Sequence, residues 1–312
     1  MIVTVTLNPA IDKTVDIKEF RYSGLNRITS VVLDPGGKGI NVSKTIKHLG
    51  GKTIATGFIG GNGGNVIEQG LKNLGIEADF IHVEGETRTN MKVLDANGNV
   101  TEFNEPGPVI NKSDVEALLT KLEALAAPDT LFVLAGSIPQ GVDKEIYRII
   151  IETVKKKEAK VFLDADGELF LKALEAKPDY IKPNRFELEQ YFNFGGAASE
   201  ADLIEMGKKL QAGGIGTVAI SLGSEGALFI LPNEAIKVPG LKVDAHSTVG
   251  AGDAMVAALS FGIDSGLPME ECIKLGVATS AGAVTTIGTK PPTRELVDEL
   301  QKQVKLIKRL TK

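Results

Sequence analysis

The stretch HSTVGAGDAMVAALSFG, residues 246–262, sets Gly250, Ala251 and Gly252 directly before Asp253 and then runs into an apolar helical pattern. Small residues at a helix start leave several backbone N–H groups unpaired and pointing one way, which makes an anion site. A carboxylate at such a place has two readings. Asp253 is a helix N-cap, as single aspartates at helix starts commonly are. Alternatively, the amides hold a transferring phosphate while Asp253 takes a proton from its acceptor. The second reading requires small residues, because a side chain would occupy the place of the phosphate.

Other segments carry related chemistry. DPGGKGINVS places Gly36, Gly37 and Gly39 around Lys38 and opens a helix that contains Asn41. Glycines let backbone amides approach a ligand closely, and Lys38 adds a positive charge suited to phosphate. This is no Walker A loop, since Gly39 rather than Ser or Thr follows the lysine. GFIGGNGG likewise fails the dinucleotide fingerprint, which argues against a nicotinamide-dependent dehydrogenase. Either glycine run alone is equally well a tight strand-to-helix turn.

YIKPNRFELEQ brings Lys182, Asn184 and Glu187 to the end of a strand and the first turn of the next helix. Asn184 there suits a helix cap, while Glu187 suits the water shell of Mg²⁺ on nucleotide phosphates. In ISLGSEGALFI a strand ends at Ser221, and Gly223 and Gly226 turn the chain into a β-hairpin whose flat edge can support an adenine or its phosphates. Asp164 and Asp166 close KVFLDAD, where a metal role and the start of a helix both stay open.

Those residues sit at the ends of regular elements. IVTVTL, TIATGFIG, TLFVLAG, KVFLDA, YIKP and TVAISLG read as strands, separated by amphipathic helical patterns such as KGINVSKTIKHLG and KEIYRIIIETVKKK. Unbroken Val, Ile and Leu strands, each followed by a helix, indicate an α/β fold with a mostly parallel sheet covered on both faces. Function in such sheets gathers at the strands' carboxyl ends. Two segments break the rhythm with short strand-like alternation and no helix. The second carries Asn-Gly, the signature of a tight hairpin. The expected organisation is a core of residues 1–11, 35–84 and 107–312, with residues 12–34 and 85–106 pairing as a small β-lid.

Composition bounds the class. The chain has 312 residues, 43% of them hydrophobic and 24% charged, and a net charge of −5 without a basic block, so the footprint of a nucleic-acid binder is missing. The basic end KQVKLIKRLTK is expected to close a solvated terminal helix. The lone Cys272 suits core packing and leaves no partner for a disulfide within the chain. The N-terminus reads directly as a strand rather than a signal, and no apolar run reaches membrane-spanning length, so a cytoplasmic location with no membrane partner is expected.

Taken in order, NPAID, GGKGINVS, GFIGG, ETRTN, LAGSIP, KPNRFE, SLGSEG and STVGAGDAMVA closely resemble the ribokinase-like carbohydrate kinases, the phosphofructokinase B family, over nearly the whole chain. The resemblance implies an α/β/α sandwich with a β-sheet lid, often shared across a homodimer, that phosphorylates a sugar-phosphate hydroxyl with ATP and Mg²⁺. It assigns Asp253 as catalytic base and the amides of Gly250, Ala251 and Gly252 as anion hole. Asp12 would hold sugar hydroxyls, with Gly37 and Asn41 in the same pocket. Lys38 and Arg88 would meet the phosphate already on the substrate, with Asn90 and Ser137 nearby. Lys182, Asn184, Ser221, Gly223 and Gly226 fall on the nucleotide side, and Glu187 on the magnesium side. Two departures stand out: Ala165-Asp166 replaces the usual Thr-Ser or Cys-Ser pair, and Ala254 replaces a frequent Ser. Fructose 1-phosphate is the expected substrate, with tagatose 6-phosphate and fructose 6-phosphate as alternatives. A non-catalytic sugar-phosphate sensor would have little need of Asp253.

Overall fold

The computed structural model describes residues 1–286 and 288–310. The chain opens with β1 (Ile2–Thr6), crosses into β2 (Ala10–Ile17) and β3 (Ile28–Gly36), and returns through α1 (Lys38–His48), β4 (Thr53–Ile59) and α2 (Gly61–Asn73). Short strands β5 (Glu77–Ala78) and β6 (Ile81–His82) lead to β7 (Arg88–Leu94) and β8 (Val100–Asn104). Then follow α3 (Lys112–Leu125), β9 (Leu131–Ala135), α4 (Ile146–Lys155), β10 (Lys160–Asp164), α5 (Gly167–Leu174), β11 (Tyr180–Ile181), α6 (Arg185–Tyr191), α7 (Glu200–Ala212) and β12 (Thr217–Ser221). The last part comprises β13 (Ala227–Leu231), β14 (Glu234–Val238), α8 (Ala251–Asp264), α9 (Met269–Ala283), α10 (Arg294–Gln301) and β15 (Ile307–Leu310).

Neighbouring strands of the main sheet run β15-β14-β13-β12-β11-β10-β9-β1-β4-β5, with β6 also pairing β4. From β5 to β12 every pairing is parallel, and the strands from β12 to β15 are antiparallel. Strands β1 and β9 are buried at every residue, as expected for strands covered on both faces. One core packs α3 to α7 against the sheet, and the other packs α1, α8, α9 and α10 against its opposite face.

The two segments without helices form a separate four-stranded sheet, β3-β2-β7-β8, joined through a parallel β2–β7 pair. Its strands reach a little past the expected segments, starting at Ala10 and ending at Gly36 in the first. Side chains alternate between faces along a strand. One face carries Asp12, Arg88, Asn90 and Lys92, and the other carries Leu33, Met91, Phe103, Val15, Val31 and Val93.

The basic end departs from expectation. Helix α10 stops at Gln301, and Ile307–Leu310 is a strand, antiparallel to β14 and covering its open edge. Lys308 meets Glu270 and lies 3.9 Å from Glu234, so opposite charges brought by tertiary structure, rather than solvation on a helix, receive it. Among the described residues no helix is long and apolar enough to cross a membrane.

Candidate active site

Helix α8 starts at Gly250, whose φ of 83° and ψ of −9° lie in the left-handed region that a glycine adopts without strain. No side chain caps this end. Asp253 is therefore not the N-cap. It sits in the first turn, buried, and accepts a hydrogen bond from Asn41 Nδ2 at 2.9 Å. Ala251 N–H turns weakly toward Thr248 O at 3.4 Å, while the amides of Gly252 and Asp253 occupy first-turn positions that no helical carbonyl serves. A Cβ on Gly252 would press on Lys182 Nζ at 3.3 Å, so the ammonium of Lys182 stands beside this turn.

Asp164 ends β10 and is buried between two lysines, with Lys182 Nζ 3.3 Å and Lys38 Nζ 3.8 Å from its Oδ1. It is a shared counter-ion for the two lysines and begins no helix. Asp166 takes the N-cap position of α5 without using its side chain for capping, and it faces the cavity described below. Burial lowers the Lys38 pKa, but Asp164, Asp253, Asp166 and Glu187 together override it and hold the ammonium above its ordinary value. Burial, with Asp164 adding to it, pushes the Asp253 carboxyl up to about 6 against the Asn41 hydrogen bond and the charges of Lys38 and Lys182.

A cavity of about 350 Å³ lies between this turn and the polar face of the four-stranded sheet. Five buried polar atoms without partners belong to residues that line it: Thr6 Oγ1, Asn8 Oδ1, Asn41 Oδ1, Arg88 Nε and Asn90 Oδ1. The lining itself, with Lys38, Arg88 and Lys92 beside Asp12, Asn41 and Asn90, suits a polar ligand that carries negative charge. A Cβ on Gly36 would lie 2.3 Å from Asp12 Oδ2, so the carboxylate rests on bare backbone. Burial raises the Asp12 pKa, opposed by Lys92, Lys44 and a 3.5 Å hydrogen bond from Asn90. The Arg88 guanidinium donates to Asn8 O at 3.1 Å and Glu105 O at 3.4 Å. Burial lowers its pKa, and Asp12 opposes that shift.

A second cavity of about 330 Å³, mostly apolar, lies beyond the same turn, between the β12–β13 hairpin and α9. Thr248, Ala251 and Gly252 line this cavity, and Val249, Gly250 and Asp253 line the first, so the helix start separates two sites. Of the residues singled out from sequence, Asp12, Gly37, Lys38, Asn41, Arg88, Asn90 and Ser137 line the polar cavity. Ser221, Gly223 and Gly226 line the apolar one. Lys182 lines neither, but its Nζ pairs with Asp164 and stands beside Gly252 of the apolar cavity. Asn184 and Glu187 line neither. They form a capping box, with Asn184 Oδ1 accepting from Glu187 N and Glu187 Oε2 accepting from Asn184 N, both at 2.8 Å. Burial raises the Glu187 pKa, with Lys182 and Lys38 opposing and Asp164 reinforcing it.

Sequence reasoning missed Lys92, Thr6 and Asn8 in the polar cavity and Leu241, Val243 and Val277 in the apolar one. Lys92 was within reach, because it lies two residues from Asn90 and period-2 alternation puts both on one face. The apolar walls carried no local signal, since Val277 reads as any core residue of α9.

The sequence model of the pfkB family carbohydrate kinases matches residues 5–296 of this chain. A 1-phosphofructokinase of Bacillus subtilis (strain 168) is 39% identical over 307 residues, covering 98% of this chain and 99% of that protein. One from Borreliella burgdorferi is 39% identical over 288 residues, covering 92% of each. A crystal structure of a putative phosphofructokinase from Staphylococcus aureus superposes with a TM-score of 0.91 at 35% identity, covering 100% of both chains.

Proposed function

The chain belongs to the pfkB family of carbohydrate kinases, and on that premise we propose that it transfers the γ-phosphoryl group of ATP to a hydroxyl of fructose 1-phosphate, giving fructose 1,6-bisphosphate. The observation that carries this reading is the meeting of a polar and an apolar cavity at one uncapped helix start, with a buried carboxylate on the polar side. The sugar phosphate takes the polar cavity, and the adenine takes the apolar one.

Phosphoryl transfer leaves a protein mainly alignment and charge stabilisation to perform. The first-turn amides of α8 and its dipole supply that stabilisation without rearranging. Asp253 accepts the proton of the attacking hydroxyl as the new P–O bond forms and the bond to the ADP oxygen breaks. Asn41 holds the Asp253 carboxylate in position. Asp12 and Asn90 orient the sugar, and Lys38 and Arg88 receive its existing phosphate. Lys182, held by Asp164 beside Gly252, faces the charge that builds on the transferring group.

Among the described residues no group of three or more His, Cys, Asp and Glu is arranged to hold a metal by itself. Mg²⁺ bound to nucleotide phosphates needs only one or two protein carboxylates. Glu187 fits that requirement, because its second oxygen takes no part in the capping box. When bound, the ion would neutralise phosphate charge.

The outer face of the four-stranded lid points away from the site and leaves Leu33, Val31 and Phe103 about half exposed, at 55%, 51% and 52%. An apolar sheet face of this kind is a natural cover for its equal, so the reading includes a homodimer through the lid. Leu33→Glu with Phe103→Glu is expected to shift the protein to monomer in light scattering, and a wild type that is monomeric at micromolar concentration overturns the dimer.

ADP release measured side by side with fructose 1-phosphate, tagatose 6-phosphate, fructose 6-phosphate and fructose tests the substrate. The highest kcat/KM is expected for fructose 1-phosphate and the lowest for free fructose, which leaves Lys38 and Arg88 without their anion. Free fructose in first place overturns the anion pocket.

A further inference from the structure

The glycine run Gly60–Gly64, which fits no dinucleotide fingerprint, has its partner inside the chain. Glu86 lays its carboxylate across the start of α2, where Oε2 accepts from Asn62 N–H at 3.2 Å and Oε1 accepts from Gly63 N–H. Thr87, buried, completes the anchor. Its Oγ1 accepts from Gly60 N–H at 2.9 Å, and its own N–H donates to Gly60 O at 3.0 Å. A Cβ on Gly61 would stand 2.1 Å from Glu86 Oε2, and one on Gly63 2.9 Å from Thr87 O. The glycines are therefore room for these two residues rather than for a ligand.

The residue that follows is Arg88, the first of β7 and the point where the second lid segment leaves the core. Its guanidinium is steered by Asn8 O and Glu105 O, and its Nε is left buried and unpaired in a side chain that lines the polar cavity. We infer that Glu86 and Thr87 are positioning residues, which latch the lid strand to α2 and thereby hold Arg88 where it meets the substrate's phosphate. The partial positive charge of the helix start favours a carboxylate, so the latch closes without a ligand. With the anchor ending one residue before Arg88, a released latch lets the start of β7 drift, and a misplacement of about 1 Å can cost up to about 10²-fold in a catalytic site.

The inference rests on the proposed role of Arg88, and the test separates the two. Steady-state kinetics are measured on full-length Glu86→Ala, Glu86→Gln, Thr87→Val, Arg88→Ala and the Glu86→Ala/Arg88→Ala pair, with amide hydrogen exchange on the same proteins. Glu86→Ala and Thr87→Val are expected to raise the fructose 1-phosphate KM by about 5- to 50-fold with the ATP KM unchanged. Glu86→Gln, whose amide oxygen still accepts, is expected to fall between wild type and Glu86→Ala. In the Arg88→Ala background, Glu86→Ala is expected to add less than about twofold, because the interaction it supports is already gone. Exchange is expected to quicken at Gly63 and Thr87–Asn90 while α8 stays protected. Equal rises in both KM values, full additivity with Arg88→Ala, or unchanged exchange at Thr87–Asn90 each overturns the latch. If Arg88→Ala alone leaves the fructose 1-phosphate KM unchanged, the phosphate role of Arg88 fails, and the exchange pattern by itself then upholds or overturns the latch.

Discussion

Helices α2 and α8 each start from a glycine, and neither start is capped by its own N-cap side chain. At α2 the donors are filled by Glu86 and Thr87, just before the lid strand, whereas at α8 Asp253 points aside to Asn41 and leaves the first-turn amides at the boundary of two cavities. The same backbone device serves cohesion in one place and, in the proposed function, a ligand in the other. What separates them is whether the chain supplies the anion. A glycine-rich helix start is thus evidence for an anion, and the tertiary structure decides whether that anion is native or foreign.

The sharpest way to break this contrast is Asp253→Asn. Loss of a general base is expected to lower kcat by ~10²–10⁴, with the KM values nearly kept, and steady-state kinetics on the purified variant check it. The same change is expected to raise stability. With its folded pKa at about 6 against an ordinary 3.8, the Asp253 carboxyl favours folding below the lower value. That contribution is lost as pH rises through about 6. At neutral pH the ionised group therefore costs roughly 1–3 kcal/mol, which the neutral amide removes, so urea unfolding of Asp253→Asn should show a higher midpoint. A kcat close to wild type would return Asp253 to a structural role.

Methyl groups on the two helix starts sharpen the contrast. Gly252 lies inside a helical turn where a methyl would meet only the flexible end of Lys182 at 3.3 Å, so Gly252→Ala should change stability by no more than about 1 kcal/mol, while blocking the phosphate and lowering kcat roughly 10- to 100-fold. Gly61→Ala should do the reverse. At a φ of 60° and with Glu86 in the way, it should cost about 1–2 kcal/mol in stability and leave kcat within about threefold. Paired melting curves and kinetics decide both.

The pH profile reads the same carboxylate without changing a residue. The base must be ionised, so the kcat/KM limb should fall about tenfold per pH unit below the free enzyme's pKa, which burial pushes up to about 6. A limb that stays flat down to pH 5 would show that another group takes the proton.

Much of the fold was legible because it is written in local periodicity. Unbroken apolar strands followed by amphipathic helices implied a parallel sheet, and the observed pairing from β5 to β12 has that form. The hairpin at Asn-Gly appears as β7 and β8. The basic C-terminal stretch was misread, because alternation over so few residues does not separate strand from helix, and the open edge of β14 that selects a strand lies far away in sequence.

For the site, the sequence by itself determined the residue types. Gly250 to Asp253, the Gly36–Gly39 run with Lys38, and the Asp12, Arg88 and Asn90 set stand out in the sequence through the order of motifs that carries the family resemblance. Only the tertiary structure decided how those residues are used. It set Asp164 between Lys38 and Lys182, gave Asn184 and Glu187 to each other as a cap, and filled the α2 start with Glu86. The physical reason is range. Backbone preference and side-chain volume act over a few residues and are readable along the chain. An ion pair or a filled helix start depends on which distant groups arrive within about 3–4 Å, and that is settled only when the sheet and its lid have closed.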